Sequence, residues 1–335
     1  MDVNVADQAS GDGWQLWNGD CVDVTRGLPD NSVGLTIYSP PFESLYTFSD
    51  DPRDMSNCSD SETFWTHYGF LIDELYRVTK PGRIVCTHCM QLPTSKLRDG
   101  FIGVRDFRGE VIRAFQSRGF IFHSEVMIRK DPVTAMQRSK AIGLLHKQIV
   151  KDSSISRMAL ADYVVMMRKE GENLEPISGE FDAYYGDEAE PDGPLRSDSP
   201  YRGTTWDRPG DPWYSVAVWQ RYAESVWMDI AQGDVLSREA AREHNDERHI
   251  SPLQLTVIRR CIDLWSNPGD VVLSPFMGIG SEGVTALKLG RKFFGIELKE
   301  SYYKQSVKNI NIEVNGDKNK QAELIPGPSI EKDLM

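Results

Sequence analysis

Along the chain, short apolar runs bounded by turn-forming residues alternate with stretches whose apolar positions recur every three or four residues. Such alternation predicts strands joined by helices, and therefore a parallel sheet covered on both faces. "WQLWNGD" from Trp14 and "VGLTIYSPPF" from Val33 read as the first two strands, joined by a segment with room for a brief helix and a Pro-Asp turn. "SETFWTHYGFLIDELYRVTK" places Phe64, Tyr68, Leu71, Leu75 and Val78 on one helical face, with Ser61 as its cap and Pro81-Gly82 as its stop. "RIVCTHC" follows as a strand, and "VIRAFQSRGF" ends a helix at Gly119. "IFHSEVMIRK" and "DYVVMMRK" read as two more strands, separated by a helical, basic insert at about 130–160.

From about 170 to 247 the pattern dissolves into Gly, Pro, acids and aromatics, interrupted by the helix-like "YSVAVWQRYAESVWMDI". Such a stretch suits a variable recognition module better than a core. Regularity returns at "ISPLQLTVIRRCIDLWSNPGD", where Ser251 is placed to cap a helix and Pro252 to open it. "VVLSPFMGIGSEGVTALKLGRKFFGIEL" then reads strand, glycine loop, helix, strand. The expected fold is α/β, a doubly wound and mostly parallel sheet with ligands at the carboxyl ends of its strands. Residues 14–169 form its first half, 170–247 an inserted variable region, 248–312 its second half and 313–335 a polar tail.

Composition narrows the setting. The 335 residues are 40% hydrophobic, enough for a substantial core, and no run approaches the eighteen or so apolar residues of a membrane span. With no basic start or apolar leader either, a cytoplasmic chain without a membrane partner is expected. Five cysteines, Cys21, Cys58, Cys86, Cys89 and Cys261, are an odd number and read as reduced thiols. Cys86 and Cys89 flank His88 in a CxxC, but no second pair stands at zinc spacing, so no metal is expected. The net charge of -12 hides a segregation, since residues 129–169 hold nine Lys/Arg against three acids. From Glu170 to Asp198 ten acids face Arg196 alone. The basic block becomes a nucleic-acid face only if chemistry elsewhere calls for one.

That chemistry begins at Gly278-x-Gly280-x-x-Gly283, which follows an apolar run and opens a helix, with Glu297 at the end of the next strand. Glycines let the backbone approach a ligand, and a carboxylate one strand later accepts hydrogen bonds from ribose hydroxyls. Any adenosine-like cofactor, NAD included, satisfies both. The wider stretch resembles the cofactor motif of the exocyclic-amino DNA methyltransferases, Asp-Pro-Phe-x-Gly-x-Gly-Thr, a helix, Gly-Arg and a Gly-x-Glu strand. Ser39-Pro40-Pro41-Phe42 resembles the same family's catalytic motif: Asp, Asn or Ser, then Pro-Pro, then an aromatic residue. Catalytic motif first, recognition region next and cofactor motif last is the permuted order of the β-class of that family. Orphan and phage-type members are the most similar.

The resemblance implies S-adenosylmethionine as cofactor, double-stranded DNA as partner and, from the habit of many relatives, a homodimer. It assigns cofactor contacts to Asp20 with Cys21 beside it, to His249, Ile250, Ser251 and Pro252, to Ser274, Pro275 and Phe276, and to Gly278, Gly280, Ser281 and Glu297. Ser274 stands where the family carries Asp, so a carboxylate expected near the cofactor is missing. Either Ser274 hydrogen-bonds in its place or the methionine end is held differently. The Ser39 side chain and the Pro40 carbonyl are implied as acceptors for the hydrogens of an amine whose lone pair must be freed from the ring. Pro40 and Pro41 fix that geometry through their restricted backbones, and Phe42 is placed to stack on a base turned out of the duplex. Arg129, Lys130, Arg138, Lys140, Lys147, Lys151 and Arg157 become the candidate DNA-facing cations.

Within the family, Ser before Pro-Pro leans towards cytosine N4, while the rest of the chain leans narrowly towards adenine N6. Two other classes stand beside these, an NAD oxidoreductase resting on the glycine loop alone and a binding module that has lost catalysis. As a hydrolase nucleophile Ser39 lacks the flanking glycines of a nucleophile elbow, and no His/Asp pair stands in evident relation to it.

Overall fold

A computed structural model of the chain describes residues 5–45, 47–139, 144–178, 181, 183–186, 214–236 and 252–316. Tyr46, Lys140, His249, Ile250, Ser251 and the tail from 317 onward lie outside the described residues. The main sheet is built from β1 (Asp7–Gly11), β2 (Trp14–Asn18), β3 (Val33–Tyr38), β4 (Thr79–Met90), β7 (Ile121–Ile128), β8 (Asp162–Arg168), β9 (Val226–Trp227), β10 (Val271–Ser274) and β11 (Lys292–Glu297). A separate two-stranded ribbon joins β5 (Leu92–Pro93) to β6 (Val104–Arg105).

The strand order is β1-β2-β11-β10-β3-β4-β8-β7-β9. The five strands from β2 to β4 run parallel, and β1, β8 and β7 join antiparallel, so the expected mostly parallel α/β sheet is present. β1 is polar and exposed along an edge, which left no apolar period from which to read it.

Alternation along the strands sends side chains to two cores. One holds Leu35, Ile37, Cys86, Val164 and Met166 against α8 (Leu255–Trp265), α9 (Ser281–Lys288) and α10 (Glu300–Asn315). The other holds Tyr38, Val85, Cys89, Val165 and Leu273 against α1 (Cys21–Arg26), α2 (Ser61–Val78) and α4 (Phe107–Gln116). Cys86 and Cys89 thus face opposite sides of β4 and cannot share a ligand. The short α3 (Lys96–Asp99) lies between β5 and β6, while α5 (Pro132–Ser139) and α6 (His146–Lys151) form the insert between β7 and β8. No helix among the described residues is long and apolar enough to cross a membrane.

Several boundaries differ from the local expectation. The α2 cap is Asp60, whose side chain accepts from Thr63 N; Ser61 is the first helical residue. β4 runs through Pro81-Gly82 instead of starting beyond it, because a register shift opposite Val33 and Leu35 and a positive φ of 73° at Gly82 absorb both residues. α8 starts at Leu255, three residues beyond Pro252, and takes no local side-chain cap. Instead Asp234 carbonyl oxygen accepts from Leu255 N at 2.8 Å and its Oδ2 from Thr256 N at 2.8 Å, so a remote residue satisfies the orphan donors. The helix predicted over 214–230 ends as α7 (Tyr214–Tyr222), since Val226 and Trp227 pair with Met127 and Ile128 as β9.

The two halves of the chain are clamped where β10 begins. Arg83 on β4 is fully buried and donates from Nη1 to Asp270 Oδ2 at 3.0 Å. Its Nε donates to Asn173 Oδ1 at 3.0 Å and its Nη2 to the Glu175 carbonyl at 2.9 Å, so the guanidinium is held on all sides. Removing one partner of such a pair strands a buried charge. Asp270→Ala is expected to lower unfolding stability by about 3–5 kcal/mol, read from the midpoint of a chemical denaturation curve.

Candidate active site

The carboxyl ends of β2, β3, β10 and β11 meet around a cavity of about 180 Å³. Ser39, Pro40, Pro41 and Phe42 leave β3 and form one wall, with both prolines buried and Phe42 packed edge-on against Phe107 at 5.8 Å. The backbone beyond them is bent sharply, Glu43 taking a φ of 49° that few side chains adopt. Its buried carboxylate is held by Arg105 and accepts from Ser61 Oγ at 3.1 Å, which fixes the exit of the proline loop.

Opposite stands the glycine loop between β10 and α9. Gly278 and Gly280 take φ values of 53° and 88°, a left-handed backbone that glycine adopts without strain. At Gly283 a Cβ would lie 2.6 Å from the Phe293 ring, so glycine is also what lets α9 approach β11. Glu297 ends β11 with its carboxylate at the cavity, Oε2 accepting from Gly278 N and Oε1 from Lys299 N, both at 2.9 Å. Burial pushes this carboxyl up to about 7. Glu282, in the first turn of α9, also lines the cavity, and burial first, then the nearby Glu297 charge, raises it to about 8.

Asp20 and Cys21 close the third side. Asp20 Oδ1 caps α1, accepting from Val22 N at 2.9 Å and Asp23 N at 3.0 Å, so it is a turn carboxylate and a cavity residue at once. Burial, then Asp20, raises the Cys21 thiol well above its ordinary value. Pro252, Pro275, Phe276 and Ser281 also reach the cavity. Ser274 does not: its Oγ is buried with no hydrogen-bond partner among the described residues, and the carboxylate that its sequence position lacks is supplied from the first turn of α9 by Glu282. Gly280 supports the loop from behind, its Cα packed towards Ser306. His249, Ile250 and Ser251 lie outside the described residues.

The relation expected to be missing around Ser39 is present. Ser39 Oγ lies 2.8 Å from His88 Nδ1, and His88 Nε2 lies 3.1 Å from Asp162 Oδ2. Lys130 Nζ stands 2.5 Å from the same carboxylate oxygen. Burial pushes Asp162 up, but the hydrogen bond and charge of His88, with Lys130, outweigh it and hold the carboxyl below its ordinary range. No local signal points to His88, which sits in a CxxC, or to Asp162, which opens a strand more than seventy residues later.

The cations of the insert divide. Arg129, Lys147 and Lys151 are exposed and Arg157 is half-buried, whereas Lys130 is committed to Asp162. Arg138 belongs to α5, with its side chain outside the described residues, as is Lys140 altogether.

The family model described as DNA methylase, for the N6 and N4 enzymes, matches residues 33–308. One stretch of 66 residues is 38% identical to the DNA adenine methyltransferase YhdJ of Escherichia coli K12, covering 20% of this chain and 22% of that protein. Over 291 residues the chain is 23% identical to the type II methyltransferase M.BglII of Bacillus subtilis, covering 86% of this chain and 66% of the relative. The chain thus spans from about a fifth to just under two thirds of the curated relatives it matches. Among solved structures, a DNA modification methylase of Thermus thermophilus, TTHA0409, complexed with S-adenosyl-L-methionine, superposes with a TM-score of 0.58 at 20% identity, covering 89% of this chain and 93% of the other. The cytosine-N4-specific PvuII DNA methyltransferase superposes at 0.53 with 14% identity, covering 93% and 97%. Both share the fold.

The two raised carboxyls give the ligand-free protein a pH signature. An unfolded chain ionises them near 4.5, while the folded site keeps its protons to about 7 at Glu297 and about 8 at Glu282. The folded state then binds more protons across that window, so stability falls as pH rises from about 5 and the loss is complete above about 8. Thermal unfolding from pH 5 to 8.5 is expected to show this decline, and Glu282→Gln to flatten it; an unchanged slope in the variant would contradict the assignment.

Proposed function

The chain belongs to the N6/N4 DNA methylase family, and from that premise we propose that it moves a methyl group from S-adenosylmethionine to the exocyclic amine of a base in double-stranded DNA. The observation that carries this reading is that two loops more than two hundred residues apart, Ser39–Phe42 and Gly278–Glu282, open on to one cavity with Glu297 between them.

The residues fit the cofactor. Glu297 presents a carboxylate fixed by two backbone donors, suited to ribose hydroxyls, and Gly278 and Ser281 bring backbone close to the bound group. Glu282 and Asp20 add negative charge suited to a cationic ligand. The group supplies an activated methyl on a sulfonium. Ser39 Oγ and the Pro40 carbonyl receive the amine hydrogens, held in place by the buried Pro40 and Pro41 and by the Glu43–Arg105 pair beyond them. Phe42, its ring fixed against Phe107, offers a face to a base rotated out of the helix. Adenine N6 is the favoured base, supported by the likeness of one stretch to an adenine enzyme. Ser39 ahead of the proline pair favours cytosine N4 as the second reading. Residues 170–247 are proposed to recognise the target sequence, and the 130–160 insert to hold phosphates.

Incubation with methyl-labelled S-adenosylmethionine and unmethylated genomic DNA, followed by nucleoside digestion, is expected to yield labelled N6-methyladenine. Labelled N4-methylcytosine would move the assignment to the second reading, and no labelled nucleoside across varied DNA would sink the reaction. Lys147→Ala and Lys151→Ala are each expected to weaken DNA binding across sequences alike and to reduce the slope of log affinity against log salt by about 1. An unaltered slope in both would remove the insert from the DNA face.

A further inference from the structure

Behind Ser39 stands a line of buried polar groups that methyl transfer as described leaves without a task. Strand register assembles it. Tyr38 pairs with Thr87 across β3 and β4, which sets Ser39 beside His88. His88 pairs with Val164, and Met90 with Asp162, across β4 and β8, so His88 and Asp162 share one face of the sheet two residues apart. The distances follow: 2.8 Å from Ser39 Oγ to His88 Nδ1, and 3.1 Å from His88 Nε2 to Asp162 Oδ2.

Charge fixes the direction of these hydrogen bonds. Asp162 is held ionised by His88 and Lys130, so it accepts from His88 Nε2–H and from the Lys130 ammonium. In a neutral imidazole Nδ1 is then the bare nitrogen, and it accepts from the Ser39 hydroxyl. The Ser39 hydrogen therefore points away from the cavity, leaving the oxygen lone pairs to face it. Without this arrangement the hydroxyl is as free to donate to an incoming amine as to accept from it, and an alcohol alone is a poor proton acceptor.

We propose that His88, oriented by Asp162, is the positioning and proton-accepting residue behind Ser39, and that it takes away the proton an amine must lose when methylated. The inference rests on the methyltransferase reading of the same cavity. As the bond from nitrogen to the methyl carbon forms and the carbon–sulfur bond breaks, that electron pair stays on sulfur and the amine nitrogen becomes positive. One N–H proton passes to Ser39 Oγ while the Ser39 hydroxyl proton passes to His88 Nδ1. The product amine leaves neutral, Ser39 is restored and the positive charge rests on the imidazole beside Asp162. Lys130, on the same carboxylate oxygen, keeps that charge from being trapped, so the proton is released to water once the product departs.

Proton transfer by a positioned group contributes about 10²–10⁴-fold to a rate. Single-turnover methylation of DNA is expected to slow about 100-fold in His88→Gln and in Asp162→Asn. S-adenosylhomocysteine and DNA affinities, measured by calorimetry and by filter binding, are expected to stay within about twofold. In His88→Gly, free imidazole in the buffer is expected to restore part of the lost rate, and to restore none when Ser39→Ala is added. A wild-type rate in His88→Gln, or a loss of rate matched by an equal loss of S-adenosylhomocysteine affinity, would overturn the relay while leaving the methyltransferase reading intact. Absence of any methyl transfer by the unsubstituted enzyme would instead overturn that reading, and the relay with it.

Discussion

Everything at the cavity depends on β10 lying beside β3. Val272 pairs with Leu35 and Leu273 with Thr36, a short parallel contact between strands more than two hundred residues apart in the chain. Closing so long a segment costs conformational entropy, though the cost grows only slowly with length. Apolar burial on both sheet faces offsets it, Leu35 and Val272 entering one core and Leu273 the other. Because the strands are parallel, the proline loop after β3 and the glycine loop after β10 emerge at the same edge. The opposite end of the junction is closed by Arg83 and Asp270, so one contact is fixed by charge at its base and carries the chemistry at its tip.

Which parts of this were legible follows from where the determining contacts lie. The strands and helices of the parallel half announce themselves by period, since each must bury a face against the sheet, and the glycine and proline loops carry their backbone demands in their own residues. Boundaries set by remote residues were not legible. α8 looks as if Ser251 and Pro252 should open it, yet the donors of its first turn are met by Asp234, which no local rule selects. β9 reads as the tail of a helix because its two residues become a strand only where β7 offers a free edge.

The same distinction runs through the site. Ser39–Phe42, Gly278 and Glu297 are readable because each lies in a contiguous stretch with a conformational reason for its residue types. His88 and Asp162 are not, since their meeting is a consequence of strand register, and each has an unremarkable local setting. Lys130 shows the converse. Counted with the insert it is one more surface cation, but the start of β8 turns its ammonium on to Asp162 and removes it from the basic face. Charge counts along a chain therefore overstate a DNA-facing surface wherever a strand end carries an acid within reach.

The cavity ends up with carboxylates in two opposed states, and their neighbours decide which. Asp162 is as deeply placed as Glu282, yet Lys130 and His88 keep it ionised, whereas Glu282 has no cation paired with it among the described residues and is pushed to about 8. A buried carboxyl without a counter-charge is uncomfortable in its ionised form and holds its proton instead. A cationic ligand entering beside Glu282 reverses that balance, drawing the carboxyl to ionise and releasing a proton as it binds. Binding of such a ligand then strengthens as pH rises through the range in which the empty site would lose stability. Fold and ligand are coupled through the same two glutamates: the arrangement that weakens the empty site at neutral pH is the one that lets it favour a positively charged guest over a neutral one of the same shape.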